Sequence, residues 1–264
     1  MNCLSLNCRG LGADAAVGEL RDLCRSYNPS VLFLYETKKR PKEMDNLKRS
    51  LGFPNGVSVD CDGTSGGLAL WWKEGVEVSL RPWCQMYIDA KITYEGKTWR
   101  FTGIYGEPRT ELRSRTWEAL RYLRMQDDLP WLCVGDFNEI LVATEQCGGN
   151  PRSHAQMETF RHSLEFCGLQ DMGYKGYDFT WSNRRLGVDN IQVRLDRGTA
   201  TSSFLDIYPL SSIEHICTEE SDHMAVLVKL RADDVVSRPT VYRGFQFEEM
   251  WTKHEGYDDM IKET

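Results

Sequence analysis

Residues capable of chemistry stand at the ends of apolar runs. Asn7 closes "CLSLN", Glu36 closes "VLFLYE", Tyr105 precedes "GEP", and Asp136 and Asn138 follow "WLCV". Asp196 lies in "VRLDR", and Asp222 with His223 precedes "MAVLVKL". Singly, each has an ordinary reading: a strand-end Asp or Asn is commonly a turn or cap residue, and a tyrosine is commonly a core or rim aromatic. Collected at strand ends, the set suits phosphodiester cleavage. Hard oxygen ligands such as Glu36 and Asp222 suit Mg²⁺, which also binds substrate phosphate. Asp136 is the carboxylate to orient and deprotonate a water. Asn and Tyr side chains offer donors to phosphate oxygens. His223 is placed to hydrogen-bond the phosphate or receive a proton, with Asp196 fixing its tautomer and favouring its charged form. Clustered Cys and His at zinc-like spacing do not occur, which argues against zinc.

Positioning these side chains requires elements that end together. "NCLSLN", "SVLFLYE", "GGLALWW", "EVSL", "MYIDAKITY", "TWRFTGIY" and "LPWLCVG" read as strands separated by Gly, Pro or charged turns. "YDFTWSN", "VRLDR", "IEHICTE" and "HMAVLVKL" read as four more short strands or strand ends. Helices are expected over "DAAVGELRDLCRSYNP", with Asp14 as N-cap, over "TELRSRTWEALRYLR", and over "SHAQMETFRHSLEFCG". Strands in mixed order with helices between them imply an α/β or α+β fold with two sheets, whose strand-end loops are the place for a site.

The 264 residues carry a net charge of −7, which argues against non-specific coating of nucleic acid but not against a nuclease with local basic loops. "TKKRPK" directly after Glu36 reads as a solvated loop-to-helix junction, a DNA contact or a nuclear-import cluster. "EPRTELRSR" and "NRRLG" add cations near the same rim. No apolar run approaches the roughly 20 residues of a membrane span. Nine scattered cysteines read as reduced thiols of an intracellular protein. The globular body is expected to close near Leu230. Residues 231–264 then read as a polar linker and the start of a following segment.

"SLNCRG", "LYETK", "GIYGEP", "VGDFNE", "FTWSN", "RLDR" and "ESDH" together resemble the ordered motif series of the endonuclease/exonuclease/phosphatase superfamily, over residues 1–230. "GDFNEIL" followed by "GG", "GLQDMGYKGYDFTWSN" and the tail "FQFEEMW" are most similar to the endonuclease domain of plant LINE-type (non-LTR) retrotransposon polyproteins. The resemblance implies a four-layer α/β sandwich of two facing mixed sheets flanked by helices, and a phosphodiesterase using Mg²⁺, with Mn²⁺ as the alternative. It implies that Glu36 binds the metal with Asn7 and Asp222 nearby, that Asp136 positions the water, and that Asn138 and Tyr105 hold the scissile phosphate. It also pairs Asp196 with His223 and sets Thr180 and Ser221 near the substrate. Some abasic-site endonucleases of the superfamily carry an acid two positions after the first Asn. Here Arg9 stands there, weakening a repair assignment and offering a phosphate contact.

The leading expectation is an endonuclease that nicks double-stranded DNA and leaves a 3′-hydroxyl, priming a reverse transcriptase carried in a longer chain, with the nucleus as its place of action. A phosphatase or phosphodiesterase acting on lipid or small-molecule phosphates is the second reading, and a catalytically idle binding module the third.

Overall fold

A computed structural model describes residues 1–63 and 65–231. Its elements in chain order are β1 (Asn2–Asn7), α1 (Asp14–Tyr27), β2 (Val31–Tyr35), α2 (Pro41–Ser50), β3 (Asn55–Asp62), β4 (Ser65–Trp72) and β5 (Glu77–Leu80). There follow β6 (Tyr87–Tyr94), β7 (Lys97–Tyr105), α3 (Ser114–Arg124), β8 (Trp131–Asp136), β9 (Gln146–Cys147), α4 (His154–Cys167) and β10 (Gln170–Asp171). The last are β11 (Trp181–Ser182), β12 (Gln192–Val193), β13 (Asp196–Ala200), α5 (Ser202–Ile207), β14 (Ser212–Ile216) and β15 (Ala225–Lys229).

Two six-stranded sheets result, ordered β14-β15-β1-β2-β4-β3 and β10-β13-β8-β7-β6-β5, with a small sheet β11-β12-β9 beside them. Each large sheet is mixed: β1 and β2 run parallel in the first, β7 and β8 in the second. The alternation of β2 shows why the sheets face each other. Val31, Phe33 and Tyr35 enter a core shared with Ile88, Phe101, Leu132 and Val134 of the second sheet. Leu32 and Leu34 point the other way and pack with Leu20, Leu23, Met44 and Leu47 of α1 and α2. On the far side, Trp117 and Leu120 of α3 and Phe160 and Leu164 of α4 cover Ile104, Trp131 and Cys133. A strand buried on both faces needs no polar alternation, and these three apolar interfaces define four layers, helix–sheet–sheet–helix. All described residues belong to one compact unit. The expected linker and following segment lie, beyond Arg231, outside the described residues.

The expected major strands form, with differences that have physical causes. Asp14 is the first helical residue of α1, and Ala13 occupies the N-cap with no side-chain hydrogen bond. "YDFTWSN" contributes only Trp181–Ser182. "VRLDR" is divided between β12 and β13, and "RGTA" continues β13 as a fully buried strand. Gly198 leaves room within it for Ile213, whose Cδ1 would stand 2.5 Å from a Cβ there and would have to shift. β3, α2 and α5 emerge from segments too polar or too short to declare themselves.

Candidate active site

The register of the sheets brings the expected residues to one rim. Asn7, the last residue of β1, is level with Tyr35 at the end of its parallel neighbour β2, and Glu36 follows. Tyr105 is level with Asp136 at the ends of parallel β7 and β8. β13 runs antiparallel to β8, so its first residue, Asp196, pairs with the last of β8, Asp136. His223 precedes β15 and bridges to Trp181 of the small sheet. The backbone is strained where it turns out of these strands: Arg9, Glu36, Lys38 and Asn138 have φ of 47°, 51°, 51° and 56°. Gly135 has φ 143°, and a Cβ there would stand 2.0 Å from the Ile104 carbonyl oxygen. Only glycine lets β7 and β8 close up beneath Asp136.

Two groups of side chains form. In the first, Glu36 Oε1 accepts hydrogen bonds from Asn7 Nδ2 (3.1 Å) and the Tyr105 hydroxyl (2.8 Å), while Lys38 Nζ lies 3.2 Å from Oε2. Burial pushes the Glu36 carboxyl up, but these donors and the Lys38 charge outweigh it and hold the group below its ordinary value.

In the second group, Asp196 is fully buried. Its Oδ1 accepts from the Tyr35 hydroxyl at 2.5 Å, and its Oδ2 lies 2.8 Å from His223 Nδ1. Thr180 Oγ1 accepts the backbone N–H groups of Leu195 and Asp196, both at 2.9 Å. Burial raises the Asp196 carboxyl, but the neighbouring imidazolium and hydrogen bonds pull it below its ordinary value. His223 responds reciprocally. Burial disfavours its charge, yet Asp196, then Asp136 and Asp222, carry it up to about 9. Asp136 differs: burial and the adjacent Asp196 charge push it up to about 7, against the opposing pull of His223. Its Oδ1 accepts from Asn138 N at 2.7 Å. Two carboxylates in neighbouring positions, one held ionised and one driven toward neutral pH, suit a pair with different roles.

Asp222, directly before His223, is half-buried. Its Oδ2 accepts from Trp181 Nε1 at 3.1 Å and lies 3.4 Å from an Arg9 guanidinium nitrogen. Trp181 is half-buried and orients this carboxylate. Arg9 is exposed and also donates its backbone N–H to Asn7 Oδ1. Thr180 and Ser221, expected near the substrate, are buried, and Ser221 Oγ donates to the Asn7 carbonyl at 2.7 Å. Asn138 donates one amide hydrogen to the Gly106 carbonyl at 2.8 Å, leaving the other free of that bond. Among the expected rim cations, Arg113 turns inward to a buried pair with Glu139 at 2.8 Å, and Arg109 is held by Glu107.

Asp136, Asp196 and His223 place one ligand atom each within 4.8 Å of one another, a buried acid–histidine cluster. As a metal cage it is poor, because both Asp196 oxygens are engaged and the histidine favours its charged form. Glu36 fits a hard cation better: it is ionised, partly open, and flanked by the Asn7 amide. The Tyr35 bond to Asp196 and the Trp181 bond to Asp222 were not foreseen as parts of the site. For Tyr35 a signal exists, since a hydroxyl inside an otherwise apolar buried run calls for a partner.

This is the arrangement of a four-layer α/β sandwich with an acid–histidine site at one rim. The family model for the endonuclease/exonuclease/phosphatase family matches residues 2–223, and the chain belongs to that family. No curated protein matches the sequence. Among solved structures, the endonuclease domain of TRAS1, a telomere-specific non-LTR retrotransposon, is similar at TM-score 0.66 and 16% identity, covering 88% of this chain and 99% of that one. The 3′-5′ exonuclease NExo from Neisseria meningitidis aligns at TM-score 0.65 and 18% identity, over 87% and 99%. An AP endonuclease from Archaeoglobus fulgidus aligns at TM-score 0.67 and 16% identity, again over 87% and 99%.

Proposed function

We propose that this chain is a divalent-metal-dependent DNA endonuclease that nicks one strand and leaves a 3′-hydroxyl. The observation that carries the reading is the juxtaposition of buried Asp136 with the Asp196–His223 pair at the rim that also holds ionised Glu36. Glu36 and Asn7, with Asp222 nearby, would hold the metal, Mg²⁺ or Mn²⁺. When bound, the ion neutralises phosphoryl charge and assists the departing oxygen. Asp136 takes a proton from the attacking water as the water oxygen bonds to phosphorus and the bond from phosphorus to O3′ breaks, the departing O3′ taking a proton from solvent to become the 3′-hydroxyl. The His223 imidazolium, oriented through Nδ1 by Asp196, presents its other N–H to a phosphate oxygen. The free amide hydrogen of Asn138 serves a second oxygen. Tyr105 steadies Glu36, and Arg9 and Lys38 supply exposed positive charge to the flanking backbone phosphates.

The exposed cations at the rim and the LINE-like segments favour DNA over lipid phosphates. They also support a role in target-primed reverse transcription of a LINE-type element, within a longer polyprotein acting in the nucleus. The similarity in fold to the TRAS1 endonuclease domain is consistent with that setting. The test is a comparison of supercoiled plasmid with a phosphoinositide, each with Mg²⁺ or EDTA, followed by polymerase extension of any nicks. Metal-dependent nicks that a polymerase extends directly are expected. Intact plasmid beside hydrolysed phosphoinositide would overturn the DNA reading.

A further inference from the structure

Tyr35 is the last residue of β2, wholly buried, and its alternation aims it across the inter-sheet core rather than toward the helices. Its ring is stacked on Phe33 with centroids 5.3 Å apart and lies 5.8 Å from the Tyr105 ring. Phenylalanine would fill that volume equally well. The hydroxyl, however, crosses from the first sheet to the second and ends on Asp196 Oδ1 at 2.5 Å. Asp196 is thereby held on every side: Tyr35 on one oxygen, His223 on the other, and Thr180 on its backbone N–H. With Oδ1 engaged, the carboxylate plane is set and Oδ2 must face the imidazole. Directly after Tyr35 the chain turns through the strained Glu36. One residue therefore ties the strand that carries the metal-binding carboxylate to the carboxylate that orients the histidine.

We propose that the Tyr35 hydroxyl is a positioning group for the reaction, locking the Asp196 carboxylate so that His223 keeps one orientation toward the scissile phosphate. The proposal rests on the nuclease reading above and gives that site a residue outside its acid–histidine set. A buried carboxylate that loses a donor is left with an unpaired acceptor, and hydrogen bonds to charged groups are the expensive ones to break. Tyr35 touches no substrate, so its removal is expected to act on turnover and not on DNA binding.

The experiment is a double-mutant cycle of Tyr35→Phe and Asp196→Asn, with kcat, KM for a nicking substrate and thermal midpoint measured for all four proteins. Y35F is expected to lower kcat by on the order of tenfold with KM nearly unchanged. On the D196N background the same substitution is expected to cost far less, because the charge it serves is gone. If Y35F folds but is too unstable for kinetics, the thermal midpoints decide: a double variant more stable than Y35F supports the link to Asp196, and an equally unstable one overturns it. A kcat equal to wild type, or an equal loss on both backgrounds, overturns the proposal while leaving the nuclease reading intact. A wild-type protein that does not nick DNA overturns the nuclease reading instead.

Discussion

Asp136 and His223 are buried within one cluster, and their environments drive them to opposite duties at neutral pH. Burial and the Asp196 charge keep a proton on Asp136 up to about pH 7, so the proposed base gains its competent form only as pH rises through that value. His223 keeps its charge up to about 9. The pH profile of kcat/KM for nicking is therefore expected to rise through about 7 and fall above about 9. The His223→Gln variant is expected to retain the rising limb and lose the falling one. Stability follows a linked rule. The folded-state pKa of His223 lies above its ordinary 6.5, so its pairing stabilises fully below that value and is lost as pH rises through about 9. Thermal midpoints of wild type are expected to fall across that window more steeply than those of H223Q. At this scale the sequence was informative where a polar residue ended an apolar run, as at Asn7, Glu36, Asp136 and His223. It could not name the partners of Tyr35 and Trp181, Asp196 and Asp222, which are 161 and 41 residues away. Contacts of that separation leave no local pattern.

At the scale of elements, the site depends on how closely strands can approach and on what braces the first residues of β13. Gly135→Ala would drive a Cβ against the Ile104 carbonyl in a backbone region closed to L-residues. It is expected to cost about 1–3 kcal/mol or more, read as a lowered urea midpoint, with activity lost alongside. Arg197, next to Asp196, is fully buried and ion-pairs with Glu145 and Asp171 at 2.8 and 2.6 Å, a network that Arg194 shares. Arg197→Met removes one partner and leaves buried charge behind. It is expected to destabilise by about 3–5 kcal/mol in the same measurement. The strands of the core were legible because burial on both faces leaves continuous apolar runs such as Val31–Tyr35. β3 was not, because its sequence "NGVSVDCD" is polar and its place is set by pairing with β4. The strand character of "RGTA" was hidden for a related reason: Arg197 reads as a surface cation until its buried acidic partners are seen.

For the whole molecule, a net charge of −7 means that the proposed attraction to DNA must be local. The structure sorts the basic loops into those that can supply it and those that cannot. Arg185 is exposed in the loop after β11, and Arg113 is buried against Glu139. Arg185→Ala is expected to weaken DNA binding across sequences and reduce the slope of log affinity against log salt by about 1. Arg113→Met is expected to leave that slope unchanged and lower stability. The central claim concerns the rim itself, and one assay reaches it directly: the rate of nicking of supercoiled plasmid by wild type and Asp136→Asn, each with Mg²⁺ and with EDTA. The account predicts nicking by wild type with Mg²⁺ only, and a loss of about 10²–10⁴-fold in the variant at unchanged thermal stability or better. Equal rates for the two proteins, or wild-type nicking that persists in EDTA, would contradict it.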